Sequence, residues 1–162
     1  MKYENSKIRR QDRLLDEARA HEILASAEYG ILSMIDLDGK PYGVPLNFVW
    51  DGDDSIYIHC APEGKKIDIL DCHDRVSFCV VGNVNLLPSQ FTTEYESIIL
   101  DCEATICTSE EERVYALELL LRKLSPHDVE IGMKYALKSL HRTCILRLDI
   151  LTWSGKAKRV KR

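Results

Sequence analysis

Three runs of strand length, each followed by an Asp-Gly pair or by a Pro/Gly cluster, constrain this chain most. They read YGILSMIDL, YGVPLNFVW and SIYIHC, and Asp38-Gly39 and Asp51-Gly52 separate them. Asp-Gly between strand-like runs is a hairpin signal, because glycine accepts the positive φ that tight turns need. Three strands joined by two short turns make an antiparallel sheet. Pro45 falls inside the second run and removes one backbone donor. It is therefore expected at an edge, at a bulge, or where the backbone faces a ligand instead of a neighbour.

More strands follow. RVSFCVV is a fourth, YESIILDCEATIC a long fifth and RTCILRLDILTW a sixth. Helical patterns lie between and before them. The first runs from Asp16, a capping residue, to about Ala27, with Leu15, Ile23 and Leu24 on its apolar side. Ser109-Glu110-Glu111-Glu112 reads as a capping box opening a helix to about Leu124, and Ser125-Pro126 as the start of another. NVNLLPSQFTT reads as a long loop, and loops of that length are suspected of function. Residues 1–12 read as a polar arm and residues 155–162 as a basic tail, with no internal repeat and no linker. VSFCVV and SIIL are apolar on both faces. One face can fill a barrel interior, and a helix or a second subunit must cover the other. The expectation is one domain over residues 1–162, mainly β with flanking helices, about six largely antiparallel strands, and a dimer formed through the outer face.

Composition excludes more than it selects. With 22 Lys and Arg against 26 Asp and Glu, the formal net charge is −4, which does not suit a general nucleic-acid binder. No apolar run is long enough to span a membrane. MKYENSKIRRQDRLLDE holds no apolar stretch of the secretory kind, so the expected location is cytoplasmic. Six cysteines, Cys60, Cys72, Cys79, Cys102, Cys107 and Cys144, include no Cys-x-x-Cys pair. Most sit in apolar runs, where Cys acts as a small buried hydrophobe in a reducing compartment. No metal site is expected. A set drawn from His59, Cys60, Cys72 and His73 matches no common zinc spacing.

One junction asks for a ligand. HCAPEGKKIDIL joins the end of a strand to the start of a helix, with Gly64, Lys65 and Lys66 at the join. Free N–H groups at a helix start, a glycine that lets backbone approach, and two ammonium groups suit a phosphate. The Walker and Rossmann patterns are both absent. A solvated helix start with two surface lysines would look the same. His59 is likewise open: a donor to a bound substrate, a strand-end histidine bonded to backbone, or an axial haem ligand.

Residues Tyr29 to Ile99, carrying VPLN, IHCAPEGKK and FTTEYESII, resemble the nitroimidazole-resistance branch of the pyridoxamine 5'-phosphate oxidase-like flavoproteins. The resemblance implies an FMN-binding split β-barrel, dimeric, with flavin at the subunit interface; FAD or haem is the less common occupant. It implies that Val44, Pro45, Leu46 and Asn47 lie along the flavin ring, that His59 and Cys60 end the next strand beside it, and that Lys65 and Lys66 hold the phosphate. Thr92, Thr93 and Tyr95 would reach the flavin of the other subunit. WSGKAKRVKR is similar to the W-x-G-x-x-x-R-L-x-x-R ending of the oxidases, and adds Trp153 and Lys156 as flavin contacts. Lys161 stands where the oxidases carry the His of their substrate-gripping pair, which argues against vitamin B6 oxidation. The implied activity is FMN-dependent transfer of electrons from a transiently bound reduced nicotinamide to a small acceptor, such as a 5-nitroimidazole. Its alternative is a flavin or haem carrier or sensor without turnover, and His59 is the candidate catalytic residue.

Overall fold

In the computed structural model, residues 1–160 are described. Eight strands form one open sheet: β1 Lys2–Tyr3, β2 Tyr29–Ile35, β3 Pro41–Asn47, β4 Val49–Trp50, β5 Ser55–Cys60, β6 Arg75–Leu87, β7 Thr92–Ile106 and β8 Cys144–Lys158. Their order is β3-β2-β6-β7-β8-β5-β4, with β1 added in parallel along β8 and every other pairing antiparallel. The expected six strands become eight for two reasons. The run YGVPLNFVW breaks at Phe48, so that β3 pairs with β2 and β4 pairs with β5. Phe48 is fully buried at that corner. The polar arm is also no free arm. Lys2–Tyr3 pairs with Thr152 and Trp153, and the Tyr3 hydroxyl donates to the Leu15 carbonyl at 2.7 Å.

Four α-helices are found among the described residues: α1 Glu17–Ser26, α2 Lys65–Leu70, α3 Glu110–Leu124 and α4 Val129–Ser139. Asp16 caps α1 by accepting from the Arg19 N–H at 2.9 Å, as the sequence predicts. The next helix after α3 starts later than the Ser125-Pro126 signal. Asp128 takes the N-cap position of α4, and Ser125 ends α3. The expected loop Asn83–Thr93 is mostly strand. β6 runs on to Leu87, a 3-10 turn spans Pro88–Gln90, and β7 starts at Thr92. Pairs from Asn85↔Glu94 to Leu87↔Thr92 carry the hairpin outward as an arm. Asn83, at φ 48°, sits in the irregularity at its base. Of the basic tail, Gly155–Lys158 completes β8, and Lys161 lies outside the described residues.

Alternation along the strands sets two cores. Leu32, Phe78, Val80, Ile98, Leu100, Leu146, Leu148, Ile56 and Ile58 fill the barrel, closed by Ala20, Ile23 and Leu24 of α1 and by Ile67, Ile69 and Leu70 of α2. On the other side of β5, Tyr57 and Ile145 pack on Ala116, Leu117 and Leu120 of α3. β5 is therefore buried on both faces from Ser55 to Ile58. The remaining sheet surface is bare: register places Pro45, Ile31, Cys79 and Ile99 in one row across β3, β2, β6 and β7. Ile99 and Val81 are about half exposed there, at 49% and 57%. No helix among the described residues is long and apolar enough to cross a membrane.

Candidate functional site

The strand-to-helix junction has the shape its sequence suggests. Gly64 opens α2 at φ 115°, a conformation L side chains rarely adopt, with open space where a Cβ would stand. Its carbonyl accepts from the Ile67 and Asp68 N–H groups at 2.8 and 3.2 Å. Lys65 and Lys66 leave this turn in different company. The Lys65 ammonium donates to Asp36 Oδ2 at 3.0 Å and stands 4.7 Å above the Tyr42 ring. Asp36 also accepts from the backbone N–H groups of Lys40 and Asp38 at 2.8 and 3.1 Å. The Lys40 bond first, and Lys65 after it, hold its carboxyl below the usual range. Lys66 has no carboxylate partner among the described residues. Its charge acts on the Cys60 thiol instead.

β3 is the edge of the sheet, which meets the expectation for Pro45. Val44 and Leu46 pack towards the barrel core, whereas Pro45 and Asn47 are exposed. The Asn47 amide donates to the Glu28 carbonyl at 2.9 Å. One side of this strand's backbone therefore has no neighbouring strand. That edge, the junction lysines and the open backbone at Gly64 are compatible with a flat ring carrying a phosphate.

His59 and Cys60 separate. Cys60 follows Ile58 onto the barrel side, and His59 follows Tyr57 onto the helix side. There His59 lines a pocket of about 200 Å³ with Leu117, Leu120, Leu121 and Leu124 of α3 and Ala136 of α4. The two residues do not present one surface to one ligand.

The second set of predicted residues lies elsewhere. Thr92, Thr93 and Tyr95 begin β7 on the arm, and Tyr95 pairs with Lys158. Lys158 also donates to the Thr92 hydroxyl. Lys156 lies opposite Ser97. From Cys144, beside the junction, to Lys156 is roughly 40 Å along β8 at strand rise. Within one chain the lysine junction and the arm therefore stand apart. Trp153 is closed off altogether. It is 1% exposed, with its ring 4.8 Å from Tyr3 and 4.7 Å from His21, so the structure corrects its assignment as a flavin contact.

Sequence reading missed several groups. Asp36 and Tyr42, which fix Lys65, gave no local signal because the turn brings them in from another hairpin. Glu112 was read only as half of a capping box. Ser109 does accept from its N–H, but its carboxylate takes Arg147 Nη1 at 2.6 Å and the Tyr57 hydroxyl at 3.2 Å. Glu96 is 4% exposed at the base of the arm, where Arg19, Arg159 and Asn83 all donate to it.

The family model for pyridoxamine 5'-phosphate oxidase matches residues 16–157. The chain belongs to that family. Among curated proteins none matches by sequence. Several solved structures share the fold. A candidate 5-nitroimidazole antibiotic resistance protein from Bacteroides thetaiotaomicron is 22% identical, with a TM-score of 0.72 over 90% of this chain and 86% of the other. A flavocytochrome from Azotobacter vinelandii is 19% identical, with a TM-score of 0.77 over 90% and 68%. An FAD-binding protein from Mesorhizobium loti is 21% identical, with a TM-score of 0.64 over 91% and 97%. At these identities the likeness is one of fold. Membership of the pyridoxamine 5'-phosphate oxidase family makes the open barrel with flanking helices a split barrel.

Proposed function

We propose that the protein is a flavin-dependent oxidoreductase that holds FMN between two copies of itself. It takes electrons from a transiently bound reduced nicotinamide and passes them to a small acceptor, with a nitroaromatic as the class to try first. Family membership supports the flavin, and the neighbours named above include a flavocytochrome and an FAD-binding protein. The observation that carries the two-subunit reading is the separation of the two residue sets along β8. One chain offers the lysine junction beside Cys144 at one end of β8, and an arm with Thr92, Thr93, Tyr95 and Lys156 at the other. The bare apolar row Pro45, Ile31, Cys79 and Ile99 gives a second copy a surface to cover, and two-fold pairing joins one chain's arm to the other's junction.

The flavin, when bound, supplies the electron and hydride chemistry. The chain's part is to bind, orient and exclude water. Lys66 carries the phosphate contact most directly, since Lys65 is already paired with Asp36. The free edge of Val44–Asn47 supplies backbone groups to the ring. This reading gives His59 no contact with the ring, because the residue faces α3.

An absorption spectrum of the purified protein and identification of the released chromophore test the cofactor. FMN is expected. A Soret band, or a colourless protein that takes up no added FMN, overturns it. The Lys65→Ala/Lys66→Ala double variant removes the Lys66 charge-assisted contact, worth about 1.5–3 kcal/mol, and the second positive charge beside it, so FMN should bind at least tenfold more weakly. Full retention refutes the phosphate assignment. Adding a nitroaromatic to the reduced holoprotein should speed reoxidation above the oxygen background. A rate that stays at background identifies a flavin carrier instead.

A further inference from the structure

Two thiols face each other across the strand pair that ends at the junction. Cys60 closes β5, Cys144 opens β8, and register sets them directly opposite. Neither is in a disulfide. Each thiol is the strongest influence on the other's proton affinity. Directly opposed residues of an antiparallel pair have Cα atoms about 4.5–5.5 Å apart, inside the roughly 4.4–6.8 Å that a disulfide spans. The register therefore brings the two sulfurs within the reach of a disulfide.

Their surroundings divide the labour. Cys144 is buried, 7% exposed, while Cys60 is half-buried at the strand end. The charge of Lys66, on α2, acts on the Cys60 sulfur. The Cys144 thiol first, and the Lys66 charge against the cost of burial, bring the Cys60 thiol down to about 7. Cys144 moves the other way, driven up first by the neighbouring Cys60 and then by burial. The other groups acting on Cys144 are the Cys107 thiol and Arg113. The Arg113 guanidinium is held by the carbonyls of Leu140 and Thr143.

We propose that Cys60 and Cys144 form a reversible redox pair that reacts with low-molecular-weight disulfides, Cys60 as the attacking sulfur and Cys144 as the resolving one. The Cys60 thiolate attacks one sulfur of the small disulfide, forming a mixed disulfide and expelling one thiolate. Cys144 then loses its proton to water and attacks Cys60 Sγ, expelling the second thiolate. Two protein thiols become one disulfide, and the small disulfide becomes two thiols. Excess small thiol reverses both steps. Once the mixed disulfide forms, Cys60 carries no negative charge, which removes the largest influence holding the Cys144 proton in place. The oxidised pair also leaves Lys66 without an anionic sulfur beside it, so its charge is free for a phosphate at the junction. The thiol chemistry does not rest on the flavin reading.

The test uses the full chain incubated with oxidised glutathione at pH 7, with free thiols then blocked and the digest mapped by mass spectrometry. The expected product is a Cys60–Cys144 disulfide. The Cys144→Ala variant should stop at a stable glutathione adduct on Cys60, and Cys60→Ala should leave Cys144 unmodified. Lys66→Met should slow alkylation of Cys60 by iodoacetamide at pH 7 by about fivefold, as the thiol moves back towards its ordinary range. If the wild-type map shows only a glutathione adduct on the exposed Cys72, with Cys60 and Cys144 reduced, the pair is not redox-active. Mapping the wild type needs no variant to fold. An unchanged alkylation rate in Lys66→Met would remove Lys66 from the account.

Discussion

Glu96 offers the sharpest test of how the arm is held. Its carboxylate accepts from Arg19 at 2.7 Å and Arg159 at 2.6 Å, and from the Asn83 amide. It thereby ties α1, the irregular base of the hairpin and the end of β8 together. Arg19 first, and Asn83 and Arg159 after it, lower its pKa from 4.5 to about 2, against a burial cost that raises it. A folded-state value below the unfolded one means that this stabilisation is complete above about pH 4.5 and disappears as pH falls towards 2. The full gap corresponds to at most about 3 kcal/mol. The Arg159 side chain is 70% exposed and Arg19 32%, so solvent screens both partners, and about 1–2 kcal/mol is the figure to expect. Glu96→Gln keeps the shape and removes the charge. Urea unfolding of both proteins at pH 7 should show that loss, with a melting temperature lower by roughly 2–8 °C. At pH 3 the difference should have shrunk substantially. An equal difference at pH 7 and pH 3 would refute ionisation of Glu96 as the source of the loss.

Two further substitutions probe the interior and the bare face. A Cβ on Gly30 would lie 2.4 Å from Phe78 Cε1 and 2.8 Å from the Cys79 carbonyl oxygen. Gly30→Ala should therefore cost about 1–3 kcal/mol in urea unfolding, and an unchanged midpoint would mean the Phe78 ring is not packed as described. Ile99→Asp puts a charge in the exposed apolar row without touching the barrel interior. Light scattering should find a monomer of near-unchanged thermal stability and a protein stripped of flavin, whereas a flavin-loaded dimer would refute the two-copy site.

The parts of the fold that were legible in the sequence are those that local chemistry decides. Asp38-Gly39 and Asp51-Gly52 do turn the chain, at φ 78° and 92°, because only the local backbone is at stake. Asp16 and Ser109 cap their helices for the same reason. What stayed hidden depends on partners distant in sequence. The hairpin from Asn83 to Thr93 carries Pro, Ser and two Asn, which suggest loop, yet pairing with β7 keeps it extended. A two-residue strand such as β1 or β4 has no periodicity to read. Ser125-Pro126 resembles a helix start, but the turn is completed at Asp128. The junction was legible as a ligand cradle in outline. The pairing of Lys65 with Asp36, the action of Lys66 on Cys60, and the opposition of Cys60 and Cys144 all needed the register.

The position of β8 sets an order of events during synthesis. It is made after all its partners, and among the described residues it is the strand whose backbone pairing joins the β3-β2-β6-β7 block to the β5-β4 pair. The hairpins β2–β3 and β6–β7 can zip as they leave the ribosome, being neighbours in sequence. β5 must wait, with its apolar run Ile56, Tyr57 and Ile58 unpaired on one side, until Cys144–Ile150 emerges to meet it. Such long-range closure is slow and leaves a sticky edge exposed in the meantime. A ribosome stalled before residue 144 would hold two pieces of sheet not yet paired through β8, and that interval is when this chain most needs a chaperone.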